Sequence, residues 1–160
     1  MNQRACVAAL LHALDDRSPA GFAIALHIRF TTPIYLFQTY SKRWTNYYSS
    51  QGLVVHDPTV SWGLHNTGHI RWTELEAIDT GGVLEKDKDF GIMNGATVAL
   101  LASGSRSIAS FARADREYED AEMDELHDGL AQLHRATLDA GQLSKSDRQA
   151  LIELSLKLSR

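Results

Sequence analysis

The chain has 160 residues, of which 44% are hydrophobic and 22% charged, a composition typical of one soluble globular domain with a substantial core. Its formal net charge of -4 argues against strong nucleic-acid binding, because such binding depends on cations that neutralise phosphates. A single cysteine, Cys6, excludes an internal disulfide and a thiolate metal cluster, and the longest apolar runs are too short to span a bilayer.

The N-terminal segment predicts a helix rather than a targeting sequence. It lacks the charged and then apolar layout of a signal peptide, so we expect a cytoplasmic protein. Apolar residues recur at helical spacing over residues 5–15, and Cys6 within them is expected to be buried and inert. The apolar runs 22–28 and 33–40 then predict two strands, and the turn before Pro33 favours an antiparallel hairpin.

Short helices are predicted in the middle of the chain. Ser41 is a candidate N-cap for the first of them. Asp57, followed by Pro58, is a candidate start for the next helix, which is expected to end at Gly68. The mostly polar stretch 74–92 is expected to be helical on both sides of its "TGG" break.

The last third of the chain predicts a second hairpin and two further helices. "GATVALLA" and "SRSIASFARA" are typical of strands, and "SGS" joins them as a turn. A narrow apolar stripe through Leu126, Leu130 and Leu133 predicts a long helix over residues 117–140. Ser144 begins a pattern similar to a capping box and predicts a final helix. Strands in hairpins and helices in groups together predict an α+β fold, with helices covering an antiparallel sheet.

Two short motifs are interpreted as structural rather than chemical. The Asp-Thr-Gly at 79–81 is expected to be a turn, because aspartic-protease chemistry needs two such aspartates and the chain has one copy. His65 and His69 have the spacing of a zinc pair, but a glycine interrupts the helix and no further ligand completes a site, so we expect no metal. His127 and His134 are expected at the surface or in an interface. With no recognisable nucleophile–base set, the sequence predicts no enzyme.

Aromatic residues with polar tips form the strongest candidate for a binding site. Tyr40, Trp44, Tyr48, Asp57 and Trp72 lie within 33 residues, and the spacing of Trp44 and Tyr48 puts both on one helix face. Their N–H and O–H donors and one carboxylate acceptor, set among apolar walls, suit an uncharged ligand with a carbonyl and an amide N–H. The alternative is that the aromatic residues are ordinary core and Asp57 is only a helix cap.

The same residues fall at the spacing of a known family. "RWTNYY", "HDPTV", "IRW" and "DFGIMNG" contain a Trp, a Tyr four residues later, an Asp-Pro nine residues after that, a second Trp fifteen after the Asp, and a closing Gly. Over roughly residues 5–140 this series closely resembles the autoinducer-binding domain of LuxR-type quorum-sensing regulators. The resemblance implies an α-β-α sandwich with a central antiparallel sheet of about five strands, the fifth near residues 69–73.

The resemblance also implies a ligand, an N-acyl-homoserine lactone, and no cofactor. Trp44 would donate to the lactone carbonyl, Asp57 would accept from the amide N–H, and Tyr48 and Ser110 would hold the acyl carbonyl. The other implied residues would surround the lactone ring. The full implied set is Tyr40, Trp44, Tyr48, Asp57, Trp72, Gly95 and Ser110. Candidates for contact with the acyl tail are Ile24, Leu26, Leu36, Val60 and Leu64.

The resemblance divides the chain into two parts and leaves two functions open. Residues 1–140 would be the ligand-binding domain, and residues 141–160 a linker and the start of a truncated helix-turn-helix domain without its recognition helix. The chain would then sense a signal and regulate transcription, with no direct DNA binding and no membrane association of its own. Alternatively, it would be an anti-activator that forms inactive heterodimers with a full-length regulator. In both cases the helix at 117–139 is the expected dimer surface.

Overall fold

The computed structural model describes residues 2–139 and 143–160, in which five antiparallel strands form one sheet in the order β2-β1-β5-β4-β3. The strands are β1 (Gly21–Arg29), β2 (Thr32–Gln38), β3 (Gly68–Arg71), β4 (Asn94–Ala102) and β5 (Ser105–Arg113). The helices are α1 (Gln3–Asp16), α2 (Lys42–Ser50), α3 (Pro58–His65), α4 (Val83–Lys88), α5 (Asp120–Ala136) and α6 (Lys145–Lys157). Short 3₁₀ helices cover Leu53–His56 and Trp72–Ile78. The predicted α+β sandwich is confirmed, with β3 as the fifth strand.

Three helix starts are set by the caps that the sequence predicts. The Ser41 hydroxyl accepts from the backbone N–H of Trp44 at 3.2 Å and begins α2. The Asp57 carboxylate accepts from the N–H of Thr59 at 2.9 Å and begins α3. The Ser144 hydroxyl accepts from a backbone N–H at 3.1 Å and begins α6. Each cap satisfies a donor that the first helical turn leaves without a partner.

The two faces of the sheet bury different residues, because side chains alternate along a strand. On one face, called here the core face, Phe22, Ile24 and Leu26 of β1 are fully buried in a cluster with α1, α5 and α6. On the other, called the aromatic face, Ala23 of β1 packs against a separate cluster that contains Trp44. The protein therefore has one apolar cluster on each side of the sheet.

Helix α3 lies close against the aromatic face. A Cβ atom added at Gly63 would come within 2.6 Å of the Ile108 side chain on β5. Such an approach requires a residue without a side chain, and it brings Asp57, the N-cap of α3, toward the same face.

The long helix α5 is shorter than predicted at its start. Glu119 caps it, and its backbone N–H bonds to the Glu122 carboxylate at 2.8 Å, so the helix begins at Asp120 rather than at Glu117. It ends at Ala136, after which the Thr137 hydroxyl donates to a backbone carbonyl at 2.7 Å. The predicted end at residue 140 lies outside the described residues.

The apolar stripe of α5 belongs to the monomer's own core. Leu126, Leu130 and Leu133 are each 0% exposed, in the cluster that also holds α1 and the core face of the sheet. The prediction that this stripe of the 117–139 helix forms a dimer surface is therefore wrong, because its apolar area is already buried within one chain.

Two single-residue predictions also differ from the structure. His134, expected at the surface or in an interface, is 1% exposed and bonds to the Ser107 hydroxyl at 2.8 Å and the Ala102 carbonyl at 3.0 Å. The ring of His27 lies 4.5 Å from it, so the two histidines form a buried pair between sheet and α5. Cys6, expected to be buried, is half-buried.

The C-terminal segment packs against the same domain. Leu143 and Leu151 join the core cluster, and the Arg148 guanidinium lies 4.4 Å from the ring centre of Tyr35. Arg160 pairs with Asp15 at 2.6 Å. The assignment of residues 141–160 to a linker and the start of a helix-turn-helix domain stays a prediction, and residues 141–142 lie outside the described part of the chain.

Candidate functional site

The candidate site is the aromatic cluster, defined here as Tyr40, Trp44, Tyr48 and Trp72. Tyr40 follows β2, Trp44 and Tyr48 lie one turn apart on α2, and Trp72 begins the 3₁₀ helix after β3. The rings of Trp44 and Tyr48 are 5.8 Å apart, as their helical spacing predicts. Tyr40, Trp44 and Trp72 are all at least nine-tenths buried, so the cluster forms an apolar wall with polar tips.

Asp57 faces this cluster while it caps α3. One carboxylate oxygen accepts from both the backbone N–H and the hydroxyl of Thr59, at 2.9 and 2.7 Å. The other accepts from the Tyr48 hydroxyl at 2.8 Å. Burial raises the pKa of Asp57 above its usual range, while the bonds from Thr59 and Tyr48 oppose that rise. Asp57 thus caps α3 and also accepts from Tyr48 of the aromatic cluster, while its predicted role in ligand binding stays a prediction.

A chain of hydrogen bonds fixes the far side of the cluster. The indole N–H of Trp72 donates to the Thr97 hydroxyl at 2.9 Å, and the Thr97 and Ser110 hydroxyls are 2.7 Å apart. Because Thr97 already accepts from Trp72, it can donate to Ser110 and leave the Ser110 proton free for another acceptor. The Tyr40 hydroxyl lies 3.5 Å from the Ser110 carbonyl, a weak contact.

Gly95 makes room for Trp72. A Cβ atom at residue 95 would lie 2.3 Å from the indole ring, closer than any side chain allows. The close contact with Trp72 therefore explains why residue 95 is a glycine. The family resemblance predicts both residues beside the lactone ring.

The indole N–H of Trp44 is free. Among the described residues no acceptor bonds to it, and every fully sealed polar side-chain atom has a partner, so this nitrogen borders accessible space. Phe90 packs against the Trp44 ring at 4.9 Å, and the Arg43 guanidinium lies 4.7 Å from the Phe90 ring centre. Trp44 is therefore held in place by packing and keeps its donor available.

The structure brings all seven predicted site residues together on the aromatic face, but it separates two of the predicted tail contacts. Ile24 and Leu26 are fully buried on the core face, so their assignment to the acyl tail is wrong. Leu36, which pairs with Ala25, lies on the aromatic side of the sheet and is 47% exposed. Val60 and Leu64 on α3 are half-buried.

Three residues of this region were not predicted from the sequence: Thr97, Phe90 and Asp87. Thr97 is 0% exposed although it is polar, and its place inside the apolar run "GATVALLA" was the available signal. Phe90 stands in the "DFGIMNG" segment, of which only the closing glycine was assigned to the site. Asp87 lies on α4 and is 5% exposed, which is rare for a carboxylate without an ionic partner.

The other motifs have structural roles. The Asp79 carboxylate accepts from the N–H groups of Val83 and Leu84 at 2.8 and 2.9 Å, and a turn follows it, as predicted for the Asp-Thr-Gly. His65 and His69 are exposed. Within residues 2–139 and 143–160, no group of three or more His, Cys, Asp or Glu could hold a metal ion, and no helix there could cross a bilayer.

Comparison with known proteins shows the family to which this chain belongs. The family model for the autoinducer binding domain matches residues 9–138. SdiA in complex with octanoyl-rac-glycerol is similar, with a TM-score of 0.68 and 16% identity over 91% of this chain and 67% of that one. A crystal structure of Escherichia coli SdiA has a TM-score of 0.60 and 22% identity over 84% of this chain and 60% of that one.

A third solved structure agrees with these two. The N-acylhomoserine lactone dependent LuxR family transcription factor CepR2 from Burkholderia cenocepacia has a TM-score of 0.55 and 12% identity, over 85% of this chain and 93% of that one. No curated protein sequence matches the chain. At these identities the solved structures show the shared fold, while the family model covers most of the sequence. The chain therefore belongs to the autoinducer-binding domains of LuxR-type regulators.

Proposed function

We propose that this chain binds an N-acyl-homoserine lactone against the aromatic face of the sheet and that the bound signal regulates transcription. The ligand headgroup lies among Tyr40, Trp44, Tyr48 and Trp72, and its amide N–H bonds to Asp57. The observation that carries the proposal is the pairing of a free donor, the Trp44 indole N–H, with an incompletely used acceptor, the Asp57 carboxylate.

The Asp57 carboxylate has acceptor capacity left for a ligand. One Asp57 oxygen accepts twice from Thr59, the other accepts once from Tyr48, and the backbone N–H of Val60 also stabilises the charged carboxylate. Each carboxylate oxygen has about two lone-pair positions, so the oxygen bonded to Tyr48 can accept a further donor. A ligand amide removed from water needs an acceptor, because an unpaired buried amide costs about 1–3 kcal/mol in protein mutational data. The amide N–H of a lactone signal bonds to the oxygen that accepts from Tyr48.

The two carbonyls of the ligand then take the remaining donors. Trp44 donates to the lactone carbonyl, and Ser110 donates to the acyl carbonyl through the proton that its bond with Thr97 leaves free. Tyr48 has one proton, which Asp57 already accepts, so Tyr48 acts mainly by holding the Asp57 carboxylate in position. This assigns the acyl carbonyl to Ser110 rather than equally to Ser110 and Tyr48.

The acyl tail gains affinity from apolar contact with the aromatic side of the sheet. Val60 and Leu64 on α3, Ile108 on β5 and the half-exposed Leu36 on β2 are the candidate contacts. Each methylene removed from water contributes about 0.8 kcal/mol, so two carbons of tail length change affinity by roughly an order of magnitude.

Ligand-dependent thermal stability tests the proposal. A ligand at 100 times its dissociation constant stabilises the folded state by about 2.7 kcal/mol, and N-octanoyl-homoserine lactone should raise the melting temperature accordingly. Asp57→Asn should remove most of that shift, while Asp79→Asn, which changes a carboxylate that caps α4, should keep it. The proposal fails if lactones of several tail lengths give no shift, or if Asp57→Asn leaves the shift unchanged.

A further inference from the structure

Asp87 is a second carboxylate that faces the aromatic cluster. It shares one face of α4 with Val83 and Leu84, which pack into the cluster with Tyr40, Trp44 and Trp72. Tyr40, Tyr48 and Asp57 lie within electrostatic range of its carboxylate. The side chain is 5% exposed and is therefore buried on the face of α4 that packs into the cluster.

The carboxylate of Asp87 has no hydrogen-bond donor among the described residues. Asp57 and Asp79 each accept from backbone N–H groups, but no side chain or backbone N–H of the described residues bonds to the Asp87 carboxylate. Since every fully sealed polar side-chain atom in the described chain has a partner, the Asp87 oxygens border accessible space. An unpaired carboxylate of this kind costs stability, and a donor supplied by a ligand would offset that cost.

The charges around Asp87 do not compensate it. Its electrostatic neighbours are the carboxylates of Asp57 and Asp79. The lysines of its own helix, Lys86 and Lys88, are paired with Asp89 and Glu85 on the exposed side. Burial, reinforced by the two neighbouring carboxylates, raises the pKa of Asp87 well above its usual range. Within the described chain no cation therefore pairs with Asp87, and a ligand group that can bond to either the ionised or the neutral carboxyl suits it.

We propose that Asp87 binds a hydroxyl group of the ligand, so that an acylated headgroup with a hydroxyl makes one contact that an unsubstituted lactone does not make. This inference rests on the proposed function, because it concerns the same site. A homoserine lactone carries one N–H, and Asp57 takes it, so the lactone leaves Asp87 without a donor. A hydroxyl can pair with either form of the Asp87 carboxyl. It donates to the ionised form, and it can both donate to and accept from the neutral form.

Binding constants of two probes test this assignment. The probes are N-octanoyl-homoserine lactone and 1-octanoylglycerol, which have the same tail length and differ in the hydroxyls of the headgroup. They are titrated against the wild-type protein and against Asp87→Asn, Asp87→Leu, Asp57→Asn and the exposed control Asp89→Asn. Asp87→Asn keeps a donor and an acceptor, and Asp87→Leu removes both at nearly constant volume.

The expected pattern separates the two probes. Asp87→Leu should lower the affinity for 1-octanoylglycerol about tenfold or more, because the glycerol hydroxyl loses its partner. The affinity for the lactone should change less than about twofold. Asp87→Asn should retain most of the affinity for 1-octanoylglycerol, and Asp89→Asn should change neither probe. The assignment is overturned if Asp87→Leu weakens both probes equally, or neither, or if octylammonium binds more tightly than 1-octanoylglycerol and loses affinity in Asp87→Asn.

Failure of the proposed function gives a different result. In that case neither probe binds the wild-type protein, or Asp57→Asn leaves both affinities unchanged, and the assignment of Asp87 is overturned together with it. If the lactone binds through Asp57 and the Asp87 variants do not discriminate between the probes, only the assignment of Asp87 is wrong.

Discussion

The core face and the aromatic face differ in whether their buried polar groups have hydrogen-bond partners within the described chain. On the core face, His27 bonds to the hydroxyls of Ser105 and Thr137 at 2.7 and 2.9 Å, and His134 also has two partners. On the aromatic face, the Trp44 indole N–H and the Asp87 carboxylate have no partner in the described chain. The core face is therefore complete in the monomer, whereas the aromatic face has polar groups left for another molecule to bind.

We therefore expect substitutions on the two sides of the sheet to have different effects. Substitutions on the core face should change the free energy of unfolding with or without ligand. Substitutions on the aromatic face should change the response to ligand more than they change the stability of the free protein.

The largest expected effect is on the core face. Leu130→Ala should lower the free energy of unfolding by about 2–5 kcal/mol, because Leu130 is 0% exposed and the truncation leaves a cavity. Denaturant unfolding measures this loss, and it should be the same with and without a lactone. Leu156→Ala, at a side chain 65% exposed, is the matched control and should cost less than about 0.5 kcal/mol. Equal losses in the two variants would contradict the burial of Leu130, and a Leu130→Ala loss that changes when lactone is added would contradict the division between the faces.

The buried His27 should make the protein less stable in acid. Burial, aided by the charge of His134, lowers the pKa of His27 to about 4 from its ordinary 6.5. Between these pH values the unfolded chain binds more protons than the folded one, so the free energy of unfolding should fall by about 3 kcal/mol as pH drops from 6.5 to 4. Unfolding curves over this range measure the slope.

The control for this pH dependence is His27→Asn. Asparagine tolerates the positive φ of 57° at this position and does not titrate. The free energy of unfolding of this variant should depend less steeply on pH between 6.5 and 4 than that of the wild-type protein. A wild-type slope retained in His27→Asn would show that another group is responsible.

On the aromatic face, removal of the unpaired carboxylate should stabilise the free protein. Asp87→Leu should raise the free energy of unfolding at pH 7 by about 1–3 kcal/mol, the cost of a buried polar group without a partner. The raised pKa of Asp87 means that its folded form holds protons better than its unfolded form, so the gain should be largest at neutral pH and shrink below pH 4. Destabilisation at pH 7 would show that Asp87 has a partner.

The smallest expected effect is at the rim, away from both faces. Arg71 and Asp120 form an ion pair at 2.5 Å, and because Asp120 is exposed, Asp120→Asn should change the free energy of unfolding only slightly. Because salt screens exposed charges, that small difference should shrink further in 0.5 M salt. A larger, salt-independent loss would place this pair in the structural core.

Local features of the fold were predictable from the sequence. The caps Ser41, Asp57 and Ser144 depend on groups within three residues along the chain, and the structure contains all three. The family spacing of Trp44, Tyr48, Asp57 and Trp72 predicts the aromatic cluster from the sequence alone.

Features that depend on distant partners were not predictable. Residues 22–26 are apolar at every position, so the sequence did not show which side of β1 holds Ile24 and Leu26. His134 is buried because His27, at a register shift in β1, lies against it from more than 100 residues away. Asp87 stands among charged residues on a short helix, and its burial follows from the packing of that helix onto the aromatic cluster.

The most direct test of ligand binding is solvent exchange of the indole N–H groups, followed by ¹⁵N NMR. The three tryptophan signals are assigned with single Trp→Phe variants. The Trp72 N–H donates to the Thr97 hydroxyl and should exchange slowly with or without ligand. The Trp44 N–H should exchange rapidly in the free protein and become protected, with a shifted resonance, when N-octanoyl-homoserine lactone is added. A Trp44 signal that stays unprotected and unshifted at saturating lactone would contradict ligand binding at the aromatic cluster.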